Sequence, residues 1–265
     1  MKSKRLSKRS STLTTWLRKG AFYALLIGIW AAASSGPWNP SRTFPSPLGV
    51  VWEILAGLLT GELLAASAVS VLRLAIGFGV SCVVGVSLGY WMSRSTFVED
   101  TLGNLLYSIQ TIPSIAYMPL VILLFGGGEF AIFFVILFAG SWPVILNTHI
   151  GLKNVPVNLI NVAKTMGIPR AKRFFEVELP AAIPVIIAGL RLSWAFSWRA
   201  LVAGELLSEG IVGLGSSLMS GKEGGDVTRM IAVLFLLAII GLVLDILIFR
   251  RLQDSVRRKW GMMGV

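Results

Sequence analysis

Long apolar runs joined by short polar segments fill most of this chain, and the length of the runs decides what they are. About 18 or more mostly apolar residues are needed for an α-helix to cross about 30 Å of hydrocarbon. Six stretches meet or approach that length, at 20–35, 63–92, 102–125, 130–152, 182–207 and 227–249. The first is the shortest. The basic MKSKRLSKRS ahead of it makes a cleaved signal peptide ending near Ala33 the competing reading of that run. The second run is longer than one crossing requires, so its first turns are expected at or above the membrane surface. Between these two runs, PWNPSRTFPSPLGVVWEILAGLL opens with proline turns and continues as a short amphipathic helix on the membrane surface. The pattern predicts an all-α polytopic membrane protein with six transmembrane helices and no separate soluble domain.

Composition agrees. Hydrophobic residues make up 55% of the 265 and charged residues only 14%, against about 25% charged in soluble domains. The single cysteine, Cys82, lies inside an apolar run, which leaves no intrachain disulfide and no cysteine metal site. The formal net charge of +11 is distributed by topology. Cytoplasmic loops are enriched in Lys and Arg. With the N-terminus inside, 18 of the 24 basic residues fall in inner segments, and Arg42, Lys222 and Arg229 fall outside. Arg73, Arg191 and Arg199 remain within the runs. Both termini are therefore expected in the cytoplasm. Residues 1–19 form a basic tail, 20–254 the six-span domain with a large inner loop at 153–180, and 255–265 a second tail. Basic residues interleaved with spans fit anionic lipid headgroups as a partner rather than nucleic acid.

The inner loop holds the densest polar stretch, NVAKTMGIPRAKRFFEVELP from Asn161 to Pro180. A helix is expected from about Pro156 to Met166. It stops at Gly167, where a left-handed residue commonly ends a helix. Pro169 starts a second short helix through Val177, and Pro180 marks the return to the membrane. Ala163 and Gly167 allow another backbone to come close, while Val162, Met166, Phe174 and Phe175 supply apolar knobs. Side-chain chemistry alone leaves two readings open: an element that docks a partner, or an amphipathic loop lying on lipid.

This loop resembles the EAA loop of ABC importer permeases, whose pattern is E-A-A-x3-G-x9-I-x-L-P. Asn161, Val162, Ala163, Gly167, Val177, Leu179 and Pro180 stand at that spacing. Asn161 replaces the usual glutamate and Val177 the usual isoleucine, so any ion pair that the family's glutamate makes to the ATPase is not carried over. The chain is similar to the nitrate, sulfonate and taurine branch of these permeases over nearly its whole length. The supporting pieces include RLAIGFGVSCVVGVSLG from Arg73, IPSIAYMPLVILLFGGGE from Ile112, NTHIGL from Asn147, GLRLSWAFSWRALVAGEL from Gly189, Asp245 and Trp260. The resemblance implies a type I ABC importer permease fold with cytoplasmic coupling helices. Residues Asn161, Val162, Ala163, Met166, Gly167, Phe174, Phe175, Leu179 and Pro180 would meet the ATPase. It implies a homodimer in the bacterial cytoplasmic (inner) membrane, two ATPase subunits that bind ATP and Mg, and an extracytoplasmic binding protein that delivers substrate. The chain itself contains no G-x4-G-K-[ST] phosphate loop, and no cofactor is expected on it.

Polar groups inside spans are expensive and usually functional. Arg199 is expected near mid-depth, where a cation suits an anionic substrate such as a sulfonate, taurine or nitrate. The alternative is an ion pair with a carboxylate such as Glu205 on a neighbouring helix or subunit. Ser193, Ser197 and Trp198 share its span, and Gln110, Thr111 and Ser114 flank Pro113, which frees carbonyls to face a cavity. These seven residues are the candidate passage. Arg191 and Asp245 fall at comparable depths and are expected to pair; Arg73 and Glu205 are expected either to pair or to gate. Gly77, Gly85 and Gly89 are spaced for close helix packing. His149 has no second His or Cys at ligand spacing, so no metal site is expected. No Ser-His-Asp or paired-carboxylate constellation supports an enzyme. A channel or secondary transporter acting alone is the remaining class, and the coupling loop argues against it.

Overall fold

An apolar chain in a membrane must satisfy its backbone N–H and C=O groups internally, and the helix does this within each segment. The computed structural model describes residues 2–37, 39 and 43–252, with side chains from 16 onward, and is helical almost throughout. Arg42, Trp260 and the tail at 255–265 lie outside the described residues, as do the side chains of the basic tail before residue 16.

In chain order the helices are α1 (Lys2–Ser35), α2 (Pro47–Leu59), α3 (Glu62–Arg94), α4 (Thr96–Ile109), α5 (Ser114–Phe125), α6 (Glu129–Lys153), α7 (Val157–Thr165), α8 (Arg170–Leu207), α9 (Leu214–Glu223) and α10 (Val227–Arg250). Among the described residues α3, α6, α8 and α10 are long and apolar enough to cross a membrane, and α4 with α5 makes a fifth crossing if the pair forms one span. The stretch 20–35 is the end of α1, which is not among these helices. At 33 residues α3 is about 50 Å long at about 1.5 Å per residue, more than one crossing requires.

Two sequence expectations change. The run 102–125 is not one helix: α4 and α5 meet at 90° across Gln110–Pro113. Proline supplies no N–H for a helix to continue through it. The second helix of the inner loop does not end at Val177 either, and Pro180 does not interrupt it. Residues Phe174–Glu178 widen into a π-type turn just before Pro180, and the helix runs on to Leu207. The wider turn accommodates the missing donor that would otherwise break a regular helix.

α6 is the central helix, packed between α3 and α8. Glycines on the facing surfaces make the approach possible. A Cβ at Gly85 would lie 2.7 Å from Val144 Cγ1, one at Gly89 would lie 2.7 Å from Thr148 Cβ, and one at Gly189 would lie 3.0 Å from the Pro143 carbonyl oxygen. Between helices in lipid, such contact replaces the hydrophobic drive available in water. Leu74, Ile132, Ile136, Trp194 and Leu201 form the main buried core. A second core, with Leu63, Leu214, Val233 and Leu237, joins α3, α9 and α10. α2 is capped by Ser46, whose Oγ accepts from the Gly49 N–H at 3.1 Å. Near the end of α1, Trp30 stacks on Phe235 of α10 with ring centres 5.4 Å apart.

Candidate coupling surface and translocation residues

α7 ends where the sequence places its stop. Gly167 has φ 71, its N–H donates to the Lys164 carbonyl at 2.9 Å, and the Ile168 N–H donates to the Ala163 carbonyl at 3.1 Å. A Cβ is strained in that left-handed conformation. Pro169 then leads into α8. Leu159, Val162 and Met166, at i, i+3 and i+7, stand exposed on one side of α7, while Ala163, beside Leu159 at i+4, is 3% exposed. Asn161 is also exposed. On α8, Phe175 is exposed whereas Phe174, Leu179 and Pro180 are half-buried. Ile160 and Leu179 pack against Val155, Ala182 and Ile186, which fixes α7 to the base of α8.

Charge fixes the same base to α3. Glu178 is buried and accepts from Arg94 and from Arg173 Nε, the latter at 3.1 Å. The Arg94 guanidinium also stands 5.4 Å from the Tyr90 ring and 5.3 Å from the Phe174 ring, a cation–π arrangement on both sides. Nearby, Lys153 pairs with Glu99, and His149 Nε2 lies 3.4 Å from the same carboxylate. Among the described residues no group of His, Cys, Asp and Glu could hold a metal ion.

α8 distributes the candidate passage residues around its circumference. Ser193 is buried and donates to the Gly140 carbonyl of α6 at 2.7 Å. Ser197 is buried too, and a Cβ at Gly140 would come within 2.5 Å of its hydroxyl. Trp198 faces α10, where a Cβ at Gly241 would lie 3.0 Å from its ring nitrogen. Arg199 and Phe196 emerge on the free side, the guanidinium 5.6 Å from the ring centre. Phe196 also borders a small cavity of about 120 Å³ at the α4–α5 bend, lined by Gln110, Pro113, Ser114, Phe138 and Trp142. Gln110, Ser114 and Arg199 thus converge on Phe196, whereas Ser193, Ser197 and Trp198 point into helix contacts. The Thr111 hydroxyl donates to the Ser108 carbonyl at 2.7 Å.

At the other end of α3 lies the most buried ionic group. Glu205 is 0% exposed. Its carboxylate accepts from Arg73 at 2.7 Å, from Ser70 at 2.8 Å and from the Gly215 N–H at 2.9 Å. Arg73 also binds Glu129 and the Val212 carbonyl. Glu205 is therefore partnered by Arg73, and among the described residues Arg199 enters no ion pair. Arg191 pairs with Asp245 at 2.7 Å. Sequence reasoning missed Glu129, Arg94 and Glu178. Glu129 had one visible signal, its place directly after Gly126–Gly128 at the start of a span.

The family model for the binding-protein-dependent transport system inner membrane component matches residues 81–259. The chain is 31% identical to the nitrate import permease protein NrtB of Synechocystis sp. (strain ATCC 27184 / PCC 6803 / Kazusa) over 86% of this chain and 85% of the relative. It is 32% identical to SsuC of Escherichia coli (strain K12), a protein named for aliphatic sulfonates transport, over 87% and 89%. A solved structure of the MetNI methionine ABC transporter in an inward-facing conformation superposes with a TM-score of 0.62 at 19% identity, covering 73% of this chain and 96% of that one, a likeness of fold. An all-helical membrane domain with this connectivity is a type I importer permease. The chain belongs to the binding-protein-dependent inner membrane component family: it is a multi-pass permease subunit of an ABC importer, not an enzyme.

Proposed function

We propose that two copies of this chain form the pathway of an importer for a small anion of the sulfonate, taurine or nitrate kind. An extracytoplasmic binding protein delivers the anion, and two ATPase subunits that bind ATP and Mg drive the cycle. The observation that carries this reading is the α7–α8 element. It combines a left-handed glycine stop, three exposed apolar residues on one helical face and a charged latch at the base of α8. Helix-in-groove recognition needs such a presentation. Both termini are cytoplasmic in this reading, with tails at 1–19 and 255–265 and six spans across 20–254. Asn161, Val162, Met166 and Phe175 contact the ATPase, while Ala163, Gly167, Phe174, Leu179 and Pro180 shape the element. ATP-driven closure pulls α7, and the helices rock rigidly about the substrate path. Arg199, on the free side of α8 beside Phe196, Gln110 and Ser114, supplies the cation that an anionic substrate meets in the spans.

Co-purification of the full-length chain with its ATPase tests the proposal. Gly167→Val together with Ala163→Phe abolishes the association while the permease still reaches the membrane. Uptake that persists in cells lacking the ATPase overturns it. Arg199→Gln lowers uptake of the anion while leaving ATPase association intact, and uptake equal to the parent removes Arg199 from the path.

A further inference from the structure

A cavity of about 770 Å³ lies between the end of α3 and the base of α8. That volume falls within the range of about 300–1,000 Å³ typical of ligand sites. Its charged lining is unbalanced. Arg94, Arg170 and Arg173 face it, and Glu178 is the one carboxylate among its lining residues. Glu178 already accepts from both Arg94 and Arg173. Two guanidinium groups thus share one negative charge, and Arg170, exposed at the mouth, enters no ion pair among the described residues. The cavity therefore carries an excess of two positive charges at the end of a membrane-crossing helix.

The remaining lining has a second character. Tyr90 and Trp91 lie on the last turns of α3, with Trp91 61% exposed; Leu152 lines the cavity from the last turn of α6, and Val86 and Ile186 line it farther along α3 and α8. Amphipathic rings of Trp and Tyr sit at the headgroup level of a bilayer. Basic pockets between transmembrane helices receive anionic headgroups. Cationic mouth, interfacial aromatics and apolar wall occur in the order that a phospholipid presents phosphate, glycerol and acyl chain. We propose that this cavity binds an anionic phospholipid, with its phosphate held by Arg170 and Arg94 and its acyl chain along α3. A lipid there would bridge α3 and the base of the α7–α8 element. The site rests on α3 crossing the membrane and adjoins the proposed ATPase surface at Phe175, which lines the same cavity.

Native mass spectrometry of the full-length chain, purified from vesicles of phosphatidylglycerol, cardiolipin or phosphatidylcholine, tests this without ATPase or transport. The expected result is selective retention of the anionic lipids. Arg170→Gln should lower their apparent affinity about five-fold, from the loss of one basic residue near an anionic headgroup. Lys164→Gln, which removes the same charge from α7 outside the cavity, should leave retention unchanged, and both variants should keep the parent's thermal unfolding. Equal retention of phosphatidylcholine, or unaltered binding by Arg170→Gln, overturns the proposal. Displacement of the lipid by inorganic phosphate at equal concentration also overturns it, because the site would then recognise a soluble anion.

Discussion

Glu205 and Glu178 are both buried carboxylates shared among arginine and other donors, yet they sit at opposite ends of α8 in different settings. Glu205 is 0% exposed and surrounded by a serine hydroxyl, a backbone N–H and a guanidinium whose side chain is 6% exposed. Every donor comes from α3 or the first turn of α9, and glycine makes room for it: a Cβ at Gly215 would lie 2.6 Å from Glu205 Cβ. Glu178 has two guanidinium partners, and one of them, Arg94, has a side chain 39% exposed. A charge removed from water is stable only when fully paired. The first cluster meets that condition around Glu205, and only its outer member, Glu129, with a side chain 55% exposed, reaches solvent. The second keeps access to solvent and joins the α7–α8 element to α3. The difference separates a fixed anchor from a linkage at which force can enter the helices.

The comparison breaks most visibly at Glu205. Glu205→Ala takes the buried carboxylate from the Arg73 guanidinium and the acceptor from Ser70 and the Gly215 N–H. Halving a buried pair outright costs about 3–5 kcal/mol, and the Glu129 carboxylate and Val212 carbonyl that Arg73 keeps bring the loss below that. The variant should unfold at much lower temperature in detergent or fail to accumulate. The double variant Arg73→Met/Glu205→Leu should recover part of the loss, because the buried guanidinium is then replaced together with its buried carboxylate. A single variant that unfolds with the parent would show that the cluster is not an anchor.

Packing between α3 and α6 predicts a smaller effect. Gly89→Val pushes a branched side chain toward the Ile145 carbonyl and Thr148. Overpacking of this kind costs about 1–3 kcal/mol. Gly79→Ala, with nothing within 4 Å of the added carbon, should leave thermal unfolding unchanged. Equal behaviour of the two would mean that α3 and α6 separate easily.

At the linkage the effect should move from stability to transport. A hydrogen bond to a charged group is worth about 1.5–3 kcal/mol, and the exposure of Arg94 discounts that toward about 1 kcal/mol. Glu178→Gln should therefore fold and reach the membrane, yet take up substrate several-fold more slowly because α7 no longer moves with α3. Reconstituted uptake, set against thermal unfolding of the same preparation, checks this. A loss of stability as large as that of Glu205→Ala would make the two clusters equivalent.

Much of this arrangement was legible in the residues. Hydropathy located α3, α6 and α10 to within a few residues and α8 at its end but not at its start, because crossing lengths are set by the bilayer while the inner extension of α8 back to Arg170 is not. Gly167 marked the end of α7 because a left-handed backbone favours glycine there. The 90° bend at Pro113 was not legible: proline announces an interruption but not its angle, which depends on how α4 and α5 meet the rest of the bundle. The Arg94–Glu178 linkage was hidden for a related reason. Its partners stand 84 residues apart, and nothing local to either one indicates the other. Arg199 illustrates the reverse. Its charge was conspicuous, but the residues left Glu205 open to Arg199 as well as to Arg73, and the packing of α3 against α8 decides for Arg73.

The finest test lies within α8 itself, where Lys172 and Glu176 form an i, i+4 pair 3.9 Å apart with side chains 60% and 55% exposed. Such pairs contribute about 0.2–0.5 kcal/mol, and Lys172→Gln should leave both thermal unfolding and uptake at the parent's values. Phe175→Ala, between the two on the same segment, removes an exposed apolar side chain that contributes little to the fold of the isolated chain. It should leave unfolding equally unaltered but weaken co-purification with the ATPase. If both variants weaken the association to the same degree, surface charge rather than apolar fit holds the partner. If Phe175→Ala instead lowers thermal stability, that side chain belongs to the fold, and the docking face is confined to α7.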